Sequence, residues 1–315
     1  MPHSSVRVYP DAEAAETAYL ATRVELTPAG RSPFTMRVVR VELGDLWLQQ
    51  VHESAARLKT AEHPTDRAFI KFLPGPDQGF LVQGKPLTPD SILRHSRGDS
   101  YHERTLGETR WCALSLPTAM LIGTGDAVAG CDLAPPANAM TVIPRPQTLE
   151  TLRTLHASTS FLAEHTPNVL GEPEMQRSLQ QSLISALVDC LSGAETGQSS
   201  WAHRCHGTIM RRFQSLLEQY PDRALYVPEI CEAIRVPERT FRLCCQENLG
   251  MSPKHYLTLR RMHQAHRALK RTSASETTVT QIATHFGFWH FGRFATTYRL
   301  MFNETPSSTL HRPPE

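Results

Sequence analysis

The chain has 315 residues, 40% of them hydrophobic and 20% charged, which suits two globular domains with buried cores. No apolar run is long enough to span a bilayer, and the opening MPHSSVRVYPDAEAAE lacks a signal peptide's apolar stretch, so neither a membrane protein nor an exported one is expected. The net charge of +2 hides an asymmetry: residues 204–315 carry 16 Lys and Arg against 9 Asp and Glu, and residues 1–203 carry 17 against 22.

A basic C-terminal third on an acidic remainder suggests a polyanion-binding module joined to a part that does not bind polyanions. The seven cysteines (Cys112, Cys131, Cys190, Cys205, Cys231, Cys244 and Cys245) are scattered and form no CxxC pair. That argues against a disulfide framework or a zinc knuckle and for a reducing compartment, so a cytoplasmic location is expected.

In chain order, residues 31–43, 45–51, 67–73, 79–84 and 109–117 read as short strands, rich in β-branched and aromatic residues and separated by Gly44, Pro74-Gly75-Pro76 and Pro86. Their spacing predicts an antiparallel barrel or sandwich. Residues 123–146 read as a loop-rich stretch. Helices are predicted over 147–164 and 173–191. In the second, Leu179, Leu183, Ile184, Leu187, Val188 and Leu191 form one apolar stripe. The stripe serves either a dimer interface or packing on the barrel of its own chain. GAETGQSS, residues 193–200, reads as a flexible linker. Everything after Trp201 reads as helical: 206–220, 227–234, 238–249, 253–271, 279–286, 290–302 and a last turn from Thr305-Pro306. The whole predicts an α+β chain with domains over 1–195 and 202–315 and a linker over 196–201.

The helical part contains a repeat. TFRLCCQENLGMSP and RFATTYRLMFNETP lie 53 residues apart. Phe241 pairs with Phe294, Cys245 with Tyr298, Gly250 with Asn303, and Ser252-Pro253 with Thr305-Pro306. Gly and Asn both accept the left-handed conformation that ends a helix. Upstream, at an offset of 52, Val227, Ile230 and Ile234 pair with Val279, Ile282 and Phe286. A short helix, a turn, a longer helix and a helix stop thus occur twice, the layout of a helix-turn-helix.

Helical phase divides the longer helix of each copy into two faces. In the first, Phe241, Cys244, Cys245 and Asn248 point inward, and Arg239, Arg242, Leu243 and Gln246 point away, with Thr240 beside them. Arg pairs bidentately with guanine and Gln with adenine, so this face suits a major groove. In the second, Phe294, Thr297, Tyr298 and Met301 point inward, while Gly292, Ala295, Thr296 and Arg299 point out, with His290 and Arg293 at the edge. The first copy has more long donors and is expected to dominate base readout. The connecting helix 253–271 has 19 residues, roughly 28 Å of rigid strut, which suits two reading helices about 34 Å apart. Lys254, Arg260 and Arg261 on it are expected to neutralise phosphates.

These residues resemble the AraC/XylS family of transcription regulators over roughly Cys205 to Thr309. Ile282-Ala283, Gly287-Phe288, Phe294, Tyr298, Phe302 and Pro306 stand at the places of the family's motif in the second unit. Cys231, Arg239-Thr240-Phe241 and Gly250-Met251-Ser252-Pro253 do so in the first. Arg235 departs where the turn commonly has glycine, Pro237 where a capping Ser or Thr is common, and Asn303 replaces a glycine. The resemblance implies an effector-responsive regulator, more often an activator, that binds double-stranded promoter DNA and recruits RNA polymerase. It also implies an N-terminal cupin-like β-barrel with dimerisation helices, hence a homodimer. The stretch Gly79 to Pro117 further resembles the companion domain in a branch that includes ethanolamine-responsive activators.

In that N-terminal part, His95, Tyr101, His102, Arg104 and Trp111 cluster near strand ends, beside Glu103. They form either an effector pocket at a barrel mouth or loop polars beside a core tryptophan. Phe69, Phe72, Phe80, Val82, Trp111 and Ala113 read as barrel filling. His102-Glu103 lacks the His-x-His spacing of a metal cupin, so no metal or cofactor is expected. The sequence has no GxSxG, HExxH, P-loop or GxGxxG, so no catalytic residues and no enzyme are expected. The alternative is a small-molecule-binding cupin or enzyme with an accessory DNA-binding module.

Overall fold

The computed structural model describes residues 4–19, 23–30, 32–76, 79–96, 98, 100–196, 201–221 and 223–312, with backbone only at 100, 195–196 and 201–205. The chain divides into two compact units, Met1–Pro28 with Phe34–Ser200, and Ala29–Pro33 with Trp201–Glu315. The expected linker 196–201 begins on the last residue of a strand and ends on the first residue of a helix; residues 197–200 lie outside the described residues.

Among the described residues the first unit contains thirteen strands: β1 (Ser4–Tyr9), β2 (Arg23–Pro28), β3 (Met36–Leu43), β4 (Leu46–Glu53), β5 (Arg57–Glu62), β6 (Arg67–Phe72), β7 (Phe80–Val82), β8 (Lys85–Pro86), β9 (Ile92–Arg94), β10 (Ser100–Thr105), β11 (Thr109–Pro117), β12 (Met140–Ile143) and β13 (Glu195–Thr196). Its helices are α1 (Ala12–Glu16), α2 (Thr118–Ala129), α3 (Pro146–His165) and α4 (Pro173–Ser192). The strands form two antiparallel sheets, one in the order β1-β3-β4-β11-β6-β9-β12-β13 and one in the order β2-β5-β10-β7-β8. The expected barrel is thus a pair of sheets around one interior, the double-sheet solution to the edge problem.

Strand alternation gives the larger sheet two buried faces. On β11, Trp111, Ala113 and Ser115 look into the interior, while Cys112, Leu114 and Leu116 join α2, α3 and α4 in a second core. Leu183, Ile184, Leu187, Val188 and Leu191 of α4 belong to that core. The stripe therefore packs within its own chain, the second of the two alternatives its sequence left open: a sheet face left uncovered by β-alternation takes it up.

Residues 123–146, expected as loop, begin inside α2. Gly125 lies within this helix because a Cβ there would meet Leu133 Cγ at 2.7 Å and the Cys131 carbonyl at 2.9 Å. The glycine permits close packing rather than breaking the helix. Strands β1, β2, β5, β8, β9, β10, β12 and β13 and helix α1 lie outside the expected elements.

The second unit is helical: α5 (Trp201–Gln219), α6 (Val227–Ile234), α7 (Glu238–Leu249), α8 (Pro253–Arg271), α9 (Val279–His285), α10 (Phe291–Phe302) and α11 (Pro306–Leu310). The stops and starts obey the repeat. Gly250 and Asn303 end α7 and α10 at φ 68° and 55°. Ser252 and Thr305 accept from the amides of His255 and Ser308 to open α8 and α11. The turns agree too: Arg235 sits at φ 55° where the second copy has Gly287 at φ 76°. Pro237 opens α7 without a side-chain cap.

Candidate functional site

The inward faces of the two units are packed as helical phase requires. Phe241, Cys244 and Cys245 are buried, and Phe213 of α5 meets Phe241 edge-on at 4.9 Å. Burial pushes the Cys244 thiol up to about 11, so it behaves as a small apolar side chain rather than a nucleophile. In the second unit Phe294 and Tyr298 are buried, and the Tyr298 hydroxyl lies 2.6 Å from His266 Nδ1 and 2.8 Å from Thr309 Oγ1. That bond network ties α10 to α8 and α11.

The opposite faces are open. Arg239, Arg242, Leu243 and Gln246 of α7 are exposed, and Thr240 is half-buried. Arg242 is held by Glu238 at 2.7 Å, an exposed pair of the kind that exchanges readily for another anion. On α10, His290, Gly292, Arg293, Thr296 and Arg299 are exposed, and the Thr296 hydroxyl donates to the Gly292 carbonyl at 2.9 Å.

Helix α8 behaves differently from expectation. Lys254 is exposed, but Arg260 is only 7% exposed. The Arg261 guanidinium lies 5.6 Å from the Tyr226 ring centre and 5.5 Å from the Phe288 ring centre. Tyr226 precedes the first short helix and Phe288 lies in the second turn, so Arg261 clamps the two units by cation–π contact. Arg260 is thus too buried to reach a phosphate as expected, and the half-buried Arg261 is engaged by the two rings. A helix packed by neighbours on several sides has little circumference left for solvent, which its own sequence does not reveal.

The N-terminal unit encloses a cavity lined by residues of both sheets, among them Lys59, His63, Phe69, Lys71, His95, Tyr101 and Trp111. His95, Tyr101 and Trp111 of the expected pocket are thus brought together. His102 and Arg104 are not: they alternate to the other face of β10, where His102 Nδ1 lies 3.2 Å from Thr60 Oγ1. Phe69 and Ala113, expected as filling, are cavity walls.

Behind the walls lies a buried ion network that the sequence did not disclose. Glu53 accepts from Arg57 Nε at 3.0 Å and from Trp111 Nε1 at 3.1 Å. Glu103 accepts from Arg57 at 3.2 Å, from Lys59 at 2.7 Å and from Lys71. Burial would push the Glu103 carboxyl up, but Lys59, Lys71 and Arg57 outweigh it and hold it well below the usual carboxylate range. Its one trace in the sequence is alternation: Arg57 and Lys59 share one face of β5, and Lys71 sits between Ile70 and Phe72 in β6.

With this geometry in place, residues 230–312 match the family model described as a helix-turn-helix domain. Over 150 residues the chain is 27% identical to the XylDLEGF operon transcriptional activator of Pseudomonas putida, covering 48% of this chain and 45% of that protein. Residues 230–312 form an AraC-type helix-turn-helix domain. A 106-residue match, 33% identical, links the chain to a probable thc operon regulatory protein of Rhodococcus erythropolis, over 34% of this chain and 32% of that protein. The matched stretch spans about half, or less, of the length of these curated relatives. Among solved structures, the AraC-like transcriptional activator CuxR covers 80% of this chain and 88% of its own, at 17% identity and a TM-score of 0.43.

The AraC-type domain carries one surface residue that helical phase overlooked. Trp289, two residues before α10, is 67% exposed. An aromatic in a turn, flanked by polar positions and outside either helix's apolar stripe, was the available signal. Among the described residues, no helix is long and apolar enough to cross a membrane.

Proposed function

We propose that the protein is a sequence-specific, effector-responsive transcription regulator, with residues 1–195 sensing and residues 202–315 reading double-stranded DNA. The observation that carries this is the doubled unit itself. Two helices, α7 and α10, each bury an aromatic inner face and leave a polar outer face open, and α8 with its Arg261 clamp joins them. Arg239, Thr240, Arg242, Leu243 and Gln246 supply most base contacts. His290, Gly292, Arg293, Thr296 and Arg299 supply the second half-site, and Lys254 holds phosphate.

Activation through contact with RNA polymerase in the cytoplasm is the mode we favour, because the Pseudomonas putida relative is named an activator. A homodimer would have to use a surface other than the α4 stripe. Sequencing the duplexes retained by the full-length protein from a random pool tests the reading. A bipartite motif with half-sites one helical turn apart supports it; no enrichment over input contradicts it.

A further inference from the structure

We propose that the second reading helix recognises thymine in DNA through its 5-methyl group, with Phe291 and Ala295 lying against methyls in the major groove and Trp289 covering the deoxyribose beside them. This rests on the DNA-reading role proposed above and names the chemical group that α10 reads.

The two copies of the repeat present different chemistry at matched places. At the offset of 53 residues, Glu238, Arg239 and Arg242 of α7 fall on Phe291, Gly292 and Ala295 of α10. Where the first helix carries charged, hydrogen-bonding groups, the second carries an aromatic ring, a bare backbone and a methyl. All three positions of α10 are exposed. Thr296 continues the trend: its hydroxyl is taken by the Gly292 carbonyl at 2.9 Å, which leaves its methyl for a partner. Phe291, Ala295 and Arg299 stand at i, i+4 and i+8, one stripe along the helix, with Gly292 and Thr296 beside it.

Nothing inside the unit accounts for this surface. Trp289 is 67% exposed and Phe291 44% exposed, and they flank His290. The core beneath α10 is already filled by Phe294 and Tyr298. A Cβ at Gly292 would meet no atom within 4 Å, and the backbone there is not left-handed. Glycine inside a helix lowers its stability relative to alanine, so its smallness serves a partner from outside by letting that partner come close to the backbone. Exposed apolar groups gathered at one helix end and rimmed by polar ones mark a contact surface.

The rim identifies the partner. Helix α10 carries Arg293 and Arg299, both exposed, and no Asp or Glu along its length. A polyanion with apolar points inside it fits that frame. Duplex DNA has one such point in its major groove, the thymine 5-methyl, against which Phe, Ala and Thr methyl groups pack. The location agrees: residues at the N-terminal end of a reading helix meet the base edges, and Phe291 is the first residue of α10. Double-stranded RNA keeps its major groove too deep and narrow for side chains, and its uracil lacks the methyl.

The test uses the duplex that the full-length protein retains from a random pool. Each thymine is replaced singly by deoxyuridine, which removes the methyl and keeps every hydrogen-bonding group, and affinity is measured by fluorescence anisotropy. At one or two thymines of one half-site the wild type is expected to lose affinity by about threefold to fivefold, the worth of one methyl kept from water. Phe291→Ala is expected to lose as much on the thymine duplex and to bind the thymine and uracil duplexes alike, with its salt slope unchanged because no charge is lost. Trp289→Ala is expected to weaken both duplexes by the same factor, since the sugar is the same in each.

Uracil tolerated at every thymine, a selected site with no thymine in either half, or wild-type discrimination kept in Phe291→Ala would each overturn the proposal. Phe291→Ala with wild-type DNA affinity would overturn it as well and assign this face to a protein partner. The uracil series on the wild type needs no variant to fold. Specific binding with full tolerance of uracil strikes this proposal alone, whereas failure to retain any duplex strikes the regulator reading and this proposal with it.

Discussion

Nη1 of Arg261 on the connecting helix lies 2.9 Å from the point that a Cβ on Gly287 would occupy. The same Cβ would meet Ala224 at 2.9 Å and the Tyr226 hydroxyl at 3.2 Å, and Gly287 sits at φ 76°. Two causes therefore require glycine there: a left-handed backbone and the seat of the clamp. Gly287→Ala is expected to destabilise the helical unit by about 1–3 kcal/mol and to weaken DNA binding. Chemical denaturation of the variant beside the wild type checks the first and gel shift the second.

Arg235 occupies the equivalent turn with φ 55°. A non-glycine residue held left-handed costs about 1–2 kcal/mol, partly offset by the extra freedom glycine has when unfolded. Arg235→Gly should raise the thermal midpoint of the helical unit. An unchanged or lowered midpoint would show that the arginine side chain makes compensating contacts.

The two reading faces should be unequal. Arg239→Ala and Gln246→Ala are each expected to cost about 1–3 kcal/mol of specific binding and to relax preference at one base pair. Arg293→Ala and Thr296→Ala should cost less, because Thr296 already spends its hydroxyl on the Gly292 carbonyl. Binding titrations against a panel of single-base variants give the ranking.

Phosphate contact should follow exposure along α8. Lys254→Ala is expected to reduce the salt slope of DNA binding by about one. Arg260→Ala should leave the slope unchanged and lower stability instead, since the residue is buried.

Acid should loosen the N-terminal unit. Burial lowers the imidazoles of His63 and His95 well below the ordinary value and that of His156 to about 4. In the folded state these rings stay neutral while the unfolded chain takes up protons below about pH 6.5. The unfolded state then binds more protons, so stability is complete above that pH and falls as pH drops toward the folded values. Melting curves from pH 8 to pH 5 should show a steady fall in midpoint, eased by His156→Gln.

What the sequence disclosed follows from how local each signal is. The repeat was legible because its stops, starts and inward aromatics lie within a few residues of one another: Gly250 against Asn303, Phe241 against Phe294. Strands β3, β4, β6 and β11 were legible because the sheet they form is covered on both faces, which makes them apolar. Strands β5 and β10, RLKTAE and SYHERT, escaped notice because the side chains they turn inward are Arg57, Lys59 and Glu103. Charged groups buried by one another leave no more than that alternation in the sequence when the partners lie 46 positions apart, as Arg57 and Glu103 do. The burial of Arg260 and the placement of Arg261 were hidden likewise, since they depend on neighbours from both helix-turn-helix units.

The central claim is that α7 and α10 read one duplex together, held apart by a rigid strut. It is tested most directly by inserting five base pairs between the half-sites of the selected duplex and measuring the affinity of the full-length protein. Half a helical turn moves the second half-site to the far side of the DNA. The account predicts that affinity falls to the level of a single half-site, and full affinity on the lengthened duplex would contradict it.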